Sequence, residues 1–269
     1  LELISLIVKY LEFLLSLLLL FTSFIFVGQN LLHKNNVDNI ISTFDTIKFL
    51  KENKAISNRL EEIRLPLDVL DYINSSAFQD VLSKGYDKLY MEEFSDYNFI
   101  ETSRIEYIIR NSLNSYGDTY NVDIGNSLDD VIHDITNDIT ENVNTKEVAD
   151  AFVIIKRIFN YYVFFAFILV DLAIMIYLIL KEKLCSLPWL CAVNVVISFV
   201  VYKVGEVIAN YHISDYFSIK STFEKCVEPC YISLFLFGIL CLIIYLIFKL
   251  KKWLVMAKVK YDDKVYWRE

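Results

Sequence analysis

The chain has 269 residues, of which 55% are hydrophobic and 22% are charged, and its mean hydropathy is +0.41. This composition is too apolar for a water-soluble domain of this length and predicts an integral membrane protein. The formal net charge of −8 argues against nucleic-acid binding, because proteins that bind nucleic acids present basic surfaces to the phosphates.

Four segments are long and apolar enough to cross a bilayer, whose hydrocarbon core of about 30 Å takes about 20 helical residues. They are residues 10–27, 152–180, 187–202 or slightly beyond, and 231–248. With 6 Gly and 3 Pro and no alternating apolar pattern, a β-barrel is not expected. The sequence predicts an all-α membrane protein with four transmembrane helices and a helical extracytoplasmic domain between helices 1 and 2.

The first span lies within residues 1–28 and has Lys9 and Glu12 near its start. A secretory signal peptide is the alternative interpretation. The apolar run is longer than a typical signal core, however, and no small-x-small cleavage site is evident near Gly28. We therefore expect residues 1–28 to be a membrane anchor.

Residues 29–151 form a long polar segment that contains no cysteine. They carry 11 Lys or Arg against 23 Asp or Glu. Apolar residues recur at spacings of three and four, which predicts four or five amphipathic helices. We expect these helices to form an extracytoplasmic domain that is held together by its own apolar core, without disulfides.

Three predictions concern the helices in the first two thirds of this segment. The stripe over residues 37–50 predicts a helix that continues the first span outward. Gly85 interrupts the apolar pattern of residues 78–94, which indicates a division into short helices. The composition of residues 114–118 indicates a loop.

The clearest helix of the segment follows Ser127, which is expected to cap it. Its apolar stripe includes Ile132, Ile135 and Ile139. A stripe of this length would be an aggregation liability if it were exposed, so we expect it to be buried. The expected packing partners are the helices around Phe44, Phe78 and Ile108.

The opposite face of the same helix carries His133 among acidic residues such as Asp129 and Asp130. We expect this face to be solvated rather than to bind a cation. Thr145 is expected to start a further helix that runs without a break into the second span.

The distribution of Lys and Arg indicates the orientation in the membrane, because short loops rich in these residues stay in the cytoplasm. Lys181 and Lys183 lie between the second and third spans, and residues 249–269 carry 7 Lys or Arg against 3 Asp or Glu. Residues 249–269 are thus expected to be a basic cytoplasmic tail. The protein is then expected in the plasma membrane with both termini on the cytoplasmic side. Residues 29–151 and a short loop, residues 210–230, are expected on the external side.

Four polar residues in residues 152–248 are candidate functional residues: Asp171, Asn194, Lys203 and Glu206. Asp171 is the deepest ionisable group, and an isolated charge at that depth is costly. Asp171 and Asn194 lie about ten and about seven residues from the inner ends of their helices, so we expect a neutral Asp171 to hydrogen-bond to Asn194 or to backbone. Lys203 and Glu206, one turn apart, are expected to neutralise each other.

Cys226 and Cys230 bracket a proline in the short external loop. A disulfide between them would close a very small loop and is the favoured interpretation. A metal site is disfavoured, because His212 is the one further Cys or His ligand near this pair in sequence. The chain has no phosphate-binding loop, zinc-protease helix or nucleophile elbow, so we expect neither an enzyme nor a bound cofactor.

Three stretches are similar to those of a known group of membrane proteins: residues 35–41, the helix over residues 129–143, and the entry to the second span at residues 144–148. In layout the chain resembles uncharacterised tetraspan membrane proteins of low-GC Gram-positive bacteria, a resemblance that implies no activity. The order of spans is also similar to that of FtsX-type permease subunits, which place a large external domain between their first two spans. Unlike those subunits, this chain shows no evident amphipathic helix ahead of the first span.

Two functions remain open from the sequence. The first is a non-enzymatic membrane protein whose external domain binds a partner or senses a signal in the cell envelope, the expected partner being another protein or a second copy of the chain. The alternative is a subunit of a transporter, channel or FtsX-like permease in which Asp171, Lys203 and Glu206 line a path.

Overall fold

The structure is a computed structural model that describes residues 2–93, 97–121, 129–141, 143–180, 187–210 and 216–266. Every regular element in these ranges is a helix, as the sequence predicted. The elements are α1 (Glu2–Leu31), α2 (Lys34–Ile41), α3 (Thr46–Glu52), α4 (Lys54–Glu62), a 3₁₀ helix (Leu67–Tyr72), α5 (Ser75–Met91), α6 (Thr102–Tyr120), α7 (Asp129–Thr140), α8 (Lys146–Ile158), α9 (Tyr161–Leu180), α10 (Leu187–Asn210) and α11 (Lys220–Tyr266).

The chain divides into two compact units. The membrane unit consists of Leu1–Gly28, Asn160–Val207 and Glu224–Glu269. The polar unit consists of Gln29–Phe159 and Ile208–Phe223. The polar unit therefore takes in all of α8, within which the sequence-based domain boundary at residue 151 falls, and it adds a second segment from between α10 and α11.

Among the described residues, four helical stretches are long and apolar enough to cross a membrane, which agrees with the number of spans that the sequence predicted. The four stretches long and apolar enough to cross a membrane are Leu6–Leu31, Lys146–Leu180, Pro188–Val207 and Lys220–Ala257. Each is longer than the apolar core read from the sequence, because the helices continue into polar residues at one or both ends. Most of their surface is exposed in the isolated chain, as expected for side chains that face lipid.

The fourth of these stretches belongs to α11, which begins at Lys220, so the predicted loop over residues 210–230 is wrong in its second half. Phe223, Cys226 and Cys230 are buried at intervals of three and four residues, the spacing of one helical face. Pro229 lies inside the helix, where it removes one N–H donor, and the helix continues past it.

The membrane unit has a buried apolar cluster where α1, α9, α10 and α11 pack together. Its core residues are Val8, Leu15, Met175, Leu178, Leu190, Cys191 and Cys241. Each helix thus contributes one narrow apolar face to the bundle interior, and the remaining faces are available to lipid.

The described residues of the polar unit include a large apolar core, and the predicted burial of the α7 stripe is confirmed. Ile132, Ile135 and Ile139 are 2%, 2% and 8% exposed. They belong to the same buried cluster as Phe44, Phe78 and Ile108. The stripe is therefore used for packing within the domain.

The helix predicted over residues 37–50 as a continuation of the first span is wrong, because the chain breaks twice in this region. The helix α1 ends at Leu31, and α2 and α3 are separate short helices. The Asp45 side chain accepts a hydrogen bond from the backbone N–H of Lys48 and so starts α3. Such a cap satisfies one of the unpaired N–H groups at a helix start and favours a break before it.

Two predicted interruptions inside the domain are also wrong. The helix α5 runs through Gly85, which packs so closely on the chain near Ile100 that a Cβ atom would lie 3.0 Å from Ile100 Cγ1. The helix α6 runs through residues 114–118 to Tyr120, with Gly117 buried in the packed face. Tertiary packing of a helical face outweighs a polar, turn-like composition at both places.

The continuous helix expected from Thr145 into the second span is interrupted. Thr145 caps α8 as predicted, since its side chain accepts from the Val148 N–H. However, α8 ends at Ile158, and the Asn160 side chain accepts a hydrogen bond from the Tyr162 N–H at 3.0 Å, which caps α9. The predicted cap at Ser127 lies outside the described residues.

Candidate functional site

Asp171 is 7% exposed on α9 and lies against α1. The Thr22 hydroxyl is 2.9 Å from Asp171 Oδ2 and also 2.9 Å from the backbone carbonyl of Leu18. A hydroxyl has one proton to donate, so it cannot fully satisfy both acceptors. A protonated Asp171 carboxyl resolves this conflict, because it donates to Thr22 while Thr22 donates to Leu18.

The expected partner of Asp171 was Asn194 or a backbone group, and that prediction is wrong, because the hydrogen bond that the structure shows joins Asp171 to the Thr22 side chain. Asn194 is 1% exposed on α10, and neither polar atom of its amide has a hydrogen-bond partner among the described residues. Its Cβ atom packs toward Gly238 of α11. Depth along the helix made Asn194 the expected partner, but depth alone does not say which neighbouring helix a side chain faces.

Lys203 and Glu206 form the predicted ion pair with each other, at 2.6 Å. Their side chains are 51% and 43% exposed. The hydrogen bond of Asp171 goes to Thr22, so the structure does not join Asp171, Lys203 and Glu206 into one polar site. The pair is a local contact along one face of α10.

Glu12 is a buried acidic residue that the sequence interpretation treated only as part of the start of the first span. It is 5% exposed, and its Oε1 atom has no hydrogen-bond partner among the described residues. The burial of Glu12 could have been predicted from the helical spacing of the sequence. Glu12 lies one turn from Val8 and from Leu15, which are buried on the same face of α1.

The structure has Cys226 and Cys230 as buried thiols, not as a disulfide, which corrects the favoured sequence interpretation. Both lie on α11 one turn apart. Cβ atoms four residues apart on a helix are about 5–6 Å from each other, whereas a disulfide requires about 3.5–4.5 Å. The loop that the bond was expected to close is instead part of the helix, and His212 lies outside the described residues.

The acidic face of α7 is exposed and is joined to neighbouring helices by polar contacts. The pairs are Asp129 with Arg110 of α6, His133 with Glu106 of α6, and Asp134 with Arg59 of α4. Among the described residues no group of three His, Cys, Asp or Glu side chains is arranged to hold a metal ion. Each exposed pair contributes little stability, typically about 0–1 kcal/mol.

Three tyrosines of the polar unit form an aromatic cluster that is open to solvent, here called the tyrosine patch: Tyr72, Tyr116 and Tyr120. The ring of Tyr72 lies edge-on to Tyr116 and Tyr120, with centroid distances of 5.6 Å and 6.3 Å. Tyr116 and Tyr120 are 4.6 Å apart on successive turns of α6. Tyr120 is 58% exposed, so one end of the cluster presents a ring to solvent.

A carboxylate lies beside the tyrosine patch. Hydrogen bonding with Tyr72 raises the pKa of Tyr120, and the charge of Asp68 raises it further. The side chain of Asp68 is 84% exposed, and the ion-pair contact that it makes within the described part of the chain, to Lys51, is long at 4.0 Å. The patch therefore combines aromatic rings with a negative charge that is weakly neutralised.

Comparisons with known protein families, with characterised proteins and with solved structures give no match to this chain.

Proposed function

We propose that this chain is a non-enzymatic, multi-pass protein of the plasma membrane whose polar unit lies outside the cytoplasm and binds a protein partner. Four candidate spans and a large helical unit with its own core support this arrangement. The tyrosine patch is the single observation that carries the binding role. The α7 stripe is buried and the α7 acidic face is ion-paired, so neither of them is the better candidate surface.

The chemistry of the patch fits a basic protein segment. Exposed tyrosine rings are favoured at protein interfaces because they bury a large apolar area while losing few rotamers. A Lys or Arg side chain stacks on a tyrosine ring and pairs with a carboxylate such as Asp68. The excess of acidic over basic residues in residues 29–151 attracts such a segment from a distance. A second copy of this chain is the other partner that an experiment would reveal.

The topology can be tested by labelling engineered cysteines in intact cells. We expect Cys at Ser115 to react with a membrane-impermeant thiol reagent and Cys at Lys260 to be protected, because the Lys-rich segments stay inside. Ser115 is exposed on α6 of the polar unit. The parent chain, which retains its five native cysteines, gives the background labelling. Labelling at Lys260 with protection at Ser115 would reject the topology.

The partner surface can be tested by placing a photo-crosslinking phenylalanine analogue at Tyr120 in the native membrane. We expect a crosslinked product of defined mass, which weakens at high salt because Asp68 contributes a charge contact. Tyr107 is the matched control, since it is 65% exposed on the same helix, α6. It lies nine residues, or about two and a half turns, before Tyr116, so its side chain is on the opposite face of the helix.

The charge contact has its own control. Asp68→Lys reverses the charge beside the patch and is expected to reduce the Tyr120 product without unfolding the domain, because Asp68 is exposed. Equal products from Tyr120 and Tyr107, or no effect of Asp68→Lys, would contradict the proposal. A product of twice the chain mass would identify a second copy as the partner.

Transport is the second candidate function, and one observation favours it. Asp171 Oδ1 and both polar atoms of Asn194 are buried without hydrogen-bond partners among the described residues. Buried polar atoms of this kind often bind internal water, which is one requirement for moving a proton or an ion. The exposed Lys203–Glu206 pair adds nothing to such a path, because its charges already neutralise each other.

Asp171 provides the test between the two functions. Asp171→Asn keeps a donor for Thr22, so we expect normal stability and normal partner binding. Asp171→Leu removes the hydrogen bond and is expected to cost about 1 kcal/mol, measured by unfolding in detergent. Thr22→Val serves as the matched variant, because it removes the same hydrogen bond from the α1 side. Loss of cellular function in a folded Asp171→Asn protein would instead require a titrating carboxylate and would favour transport.

A further inference from the structure

The helix α11 is longer than a bilayer requires, and its C-terminal part continues beyond the apolar segment. The helix has 47 residues, which corresponds to about 70 Å at 1.5 Å per residue, while the hydrocarbon core takes about 30 Å. Lys249, Lys251 and Lys252 follow the apolar residues 231–248 directly. Three charges within four residues are too costly inside the hydrocarbon core, so the core ends close to Lys249.

The three lysines are distributed around the helix. Lys249 and Lys252 are three residues apart and share a face, whereas Lys251 lies two residues from Lys249 and projects from the other side. All three are exposed, and no ion pair joins any of them to an acidic side chain within the described residues. Lys249 Nζ lies 5.8 Å from the ring centroid of Tyr245, one turn earlier in the helix, which places its charge next to the end of the span.

The turn after the lysines is apolar and equally exposed. Trp253, Leu254, Val255 and Met256 are 62%, 54%, 56% and 54% exposed. Such residues are unfavourable in water and favourable at the boundary between lipid and water, where Trp is enriched. Residues 249–256 therefore have the composition of a helix segment in the headgroup layer, with lysine charges and an aromatic anchor.

The charge of the following residues has the same sign. Residues 257–266 add three Lys against two Asp. Basic residues next to a membrane span attract anionic lipids through their phosphate groups. Zwitterionic lipids carry no net charge, so they are expected to bind more weakly.

We propose that Lys249, Lys251 and Lys252, together with Trp253, form a binding site for anionic phospholipids in the leaflet that surrounds this end of α11. The lysine ammonium groups pair with lipid phosphates on both sides of the helix, and Trp253 holds the segment at the headgroup level. The site would enrich anionic lipids around the protein and fix the depth of α11. It does not depend on which protein partner the polar unit binds.

The test is a lipid titration of the purified full-length protein in detergent, followed by native mass spectrometry. Phosphatidylglycerol adducts are expected to exceed phosphatidylcholine adducts at least fivefold at equal lipid concentration. Replacing Lys249, Lys251 and Lys252 together with Gln is expected to abolish this preference. The corresponding triple Arg variant retains the charges and is expected to preserve it.

Two controls make the result specific. A triple Gln variant at Lys54, Lys84 and Lys146, all exposed in the polar unit, changes the net charge equally and is expected to leave the lipid preference unchanged. Trp253→Ala is expected to reduce the number of adducts while keeping the preference for the anionic lipid. Circular dichroism of each variant confirms that the helices are intact.

Three outcomes would overturn the proposal. The first is equal binding of the two lipids by the parent protein. The second is an unchanged preference in a folded Gln variant at Lys249, Lys251 and Lys252. The third is displacement of phosphatidylglycerol by millimolar inorganic phosphate, which would show a site for the free anion rather than for a lipid.

Discussion

Replacing Ile135 with alanine is expected to destabilise the polar unit by about 2–5 kcal/mol, the range for removing a large aliphatic side chain from a packed core. Ile135 is 2% exposed and belongs to the cluster that includes Phe44, Phe78 and Ile108. The helices around it come from distant parts of the chain, so the cavity left by alanine cannot close without moving several elements.

The effect is best measured on the full chain in detergent as resistance of the polar unit to limited proteolysis. Resistance reports local and global opening of this unit even where the membrane helices do not unfold in the same transition. Val148→Ala is the matched control, because Val148 is 37% exposed on α8 and its truncation removes little buried area. We expect Val148→Ala to change the free energy of unfolding by less than about 1 kcal/mol.

A different result would assign a different role to α7. If Ile135→Ala left protease resistance unchanged but abolished crosslinking at Tyr120, the stripe would be part of a partner interface rather than of the domain core. The burial of Ile132 and Ile139 on the same face argues for the core.

The parts of the fold that follow from local chemistry were predictable. Hydropathy identified the four candidate spans, because a lipid-facing helix must be apolar around most of its surface. The α7 stripe was predictable because Ile132, Ile135 and Ile139 repeat at the helical period. The cap at Thr145 followed from the same local rules.

The parts that depend on packing between distant residues were not predictable from the sequence. Residues 114–118 look like a loop, yet Gly117 is buried in α6 because other helices pack over it. The start of α11 had a usable signal in Phe223, Cys226 and Cys230, which repeat at helical spacing. Pro229 concealed it, because proline usually marks a helix boundary.

The candidate site shows the same division. That Asp171 is buried and hydrogen-bonded followed from its depth in the span, since an isolated charge in hydrocarbon is costly. The identity of its partner did not follow, because Thr22 and Asn194 lie on different helices and only the packing of α1 against α9 selects Thr22. The tyrosine patch was also missed, because Tyr72 and Tyr116 are 44 positions apart in sequence.

The second substitution with a large expected effect on stability is at Gly205, where α10 contacts α11. A Cβ atom at this position would lie 2.5 Å from Val227 Cγ1 and 2.9 Å from Val227 Cγ2. Distances this short require the Val227 side chain or the helix backbones to shift, and overpacking of this kind costs about 1–3 kcal/mol. Close approach of helix backbones through a small residue is a common basis of packing in membranes, where no hydrophobic effect holds helices together.

Gly205→Ala is therefore expected to destabilise the membrane unit, measured as a lower midpoint of unfolding in a denaturing detergent titration. Gly238→Ala is the matched control in the same bundle, since a Cβ atom there would meet its nearest neighbours at an ordinary 3.7 Å. Alanine is favoured over glycine in a helix by about 1 kcal/mol, so Gly238→Ala is expected to be neutral or stabilising.

A double-mutant cycle separates the steric clash from other effects of the substitution. Val227→Ala removes both Cγ atoms, so in the Gly205→Ala background it is expected to restore most of the lost stability. In the parent chain the same Val227→Ala change should destabilise, because it removes a packed side chain that is 5% exposed. If Val227→Ala lowered stability equally in both backgrounds, the two residues would not be in contact and the packing of α10 against α11 would be wrong.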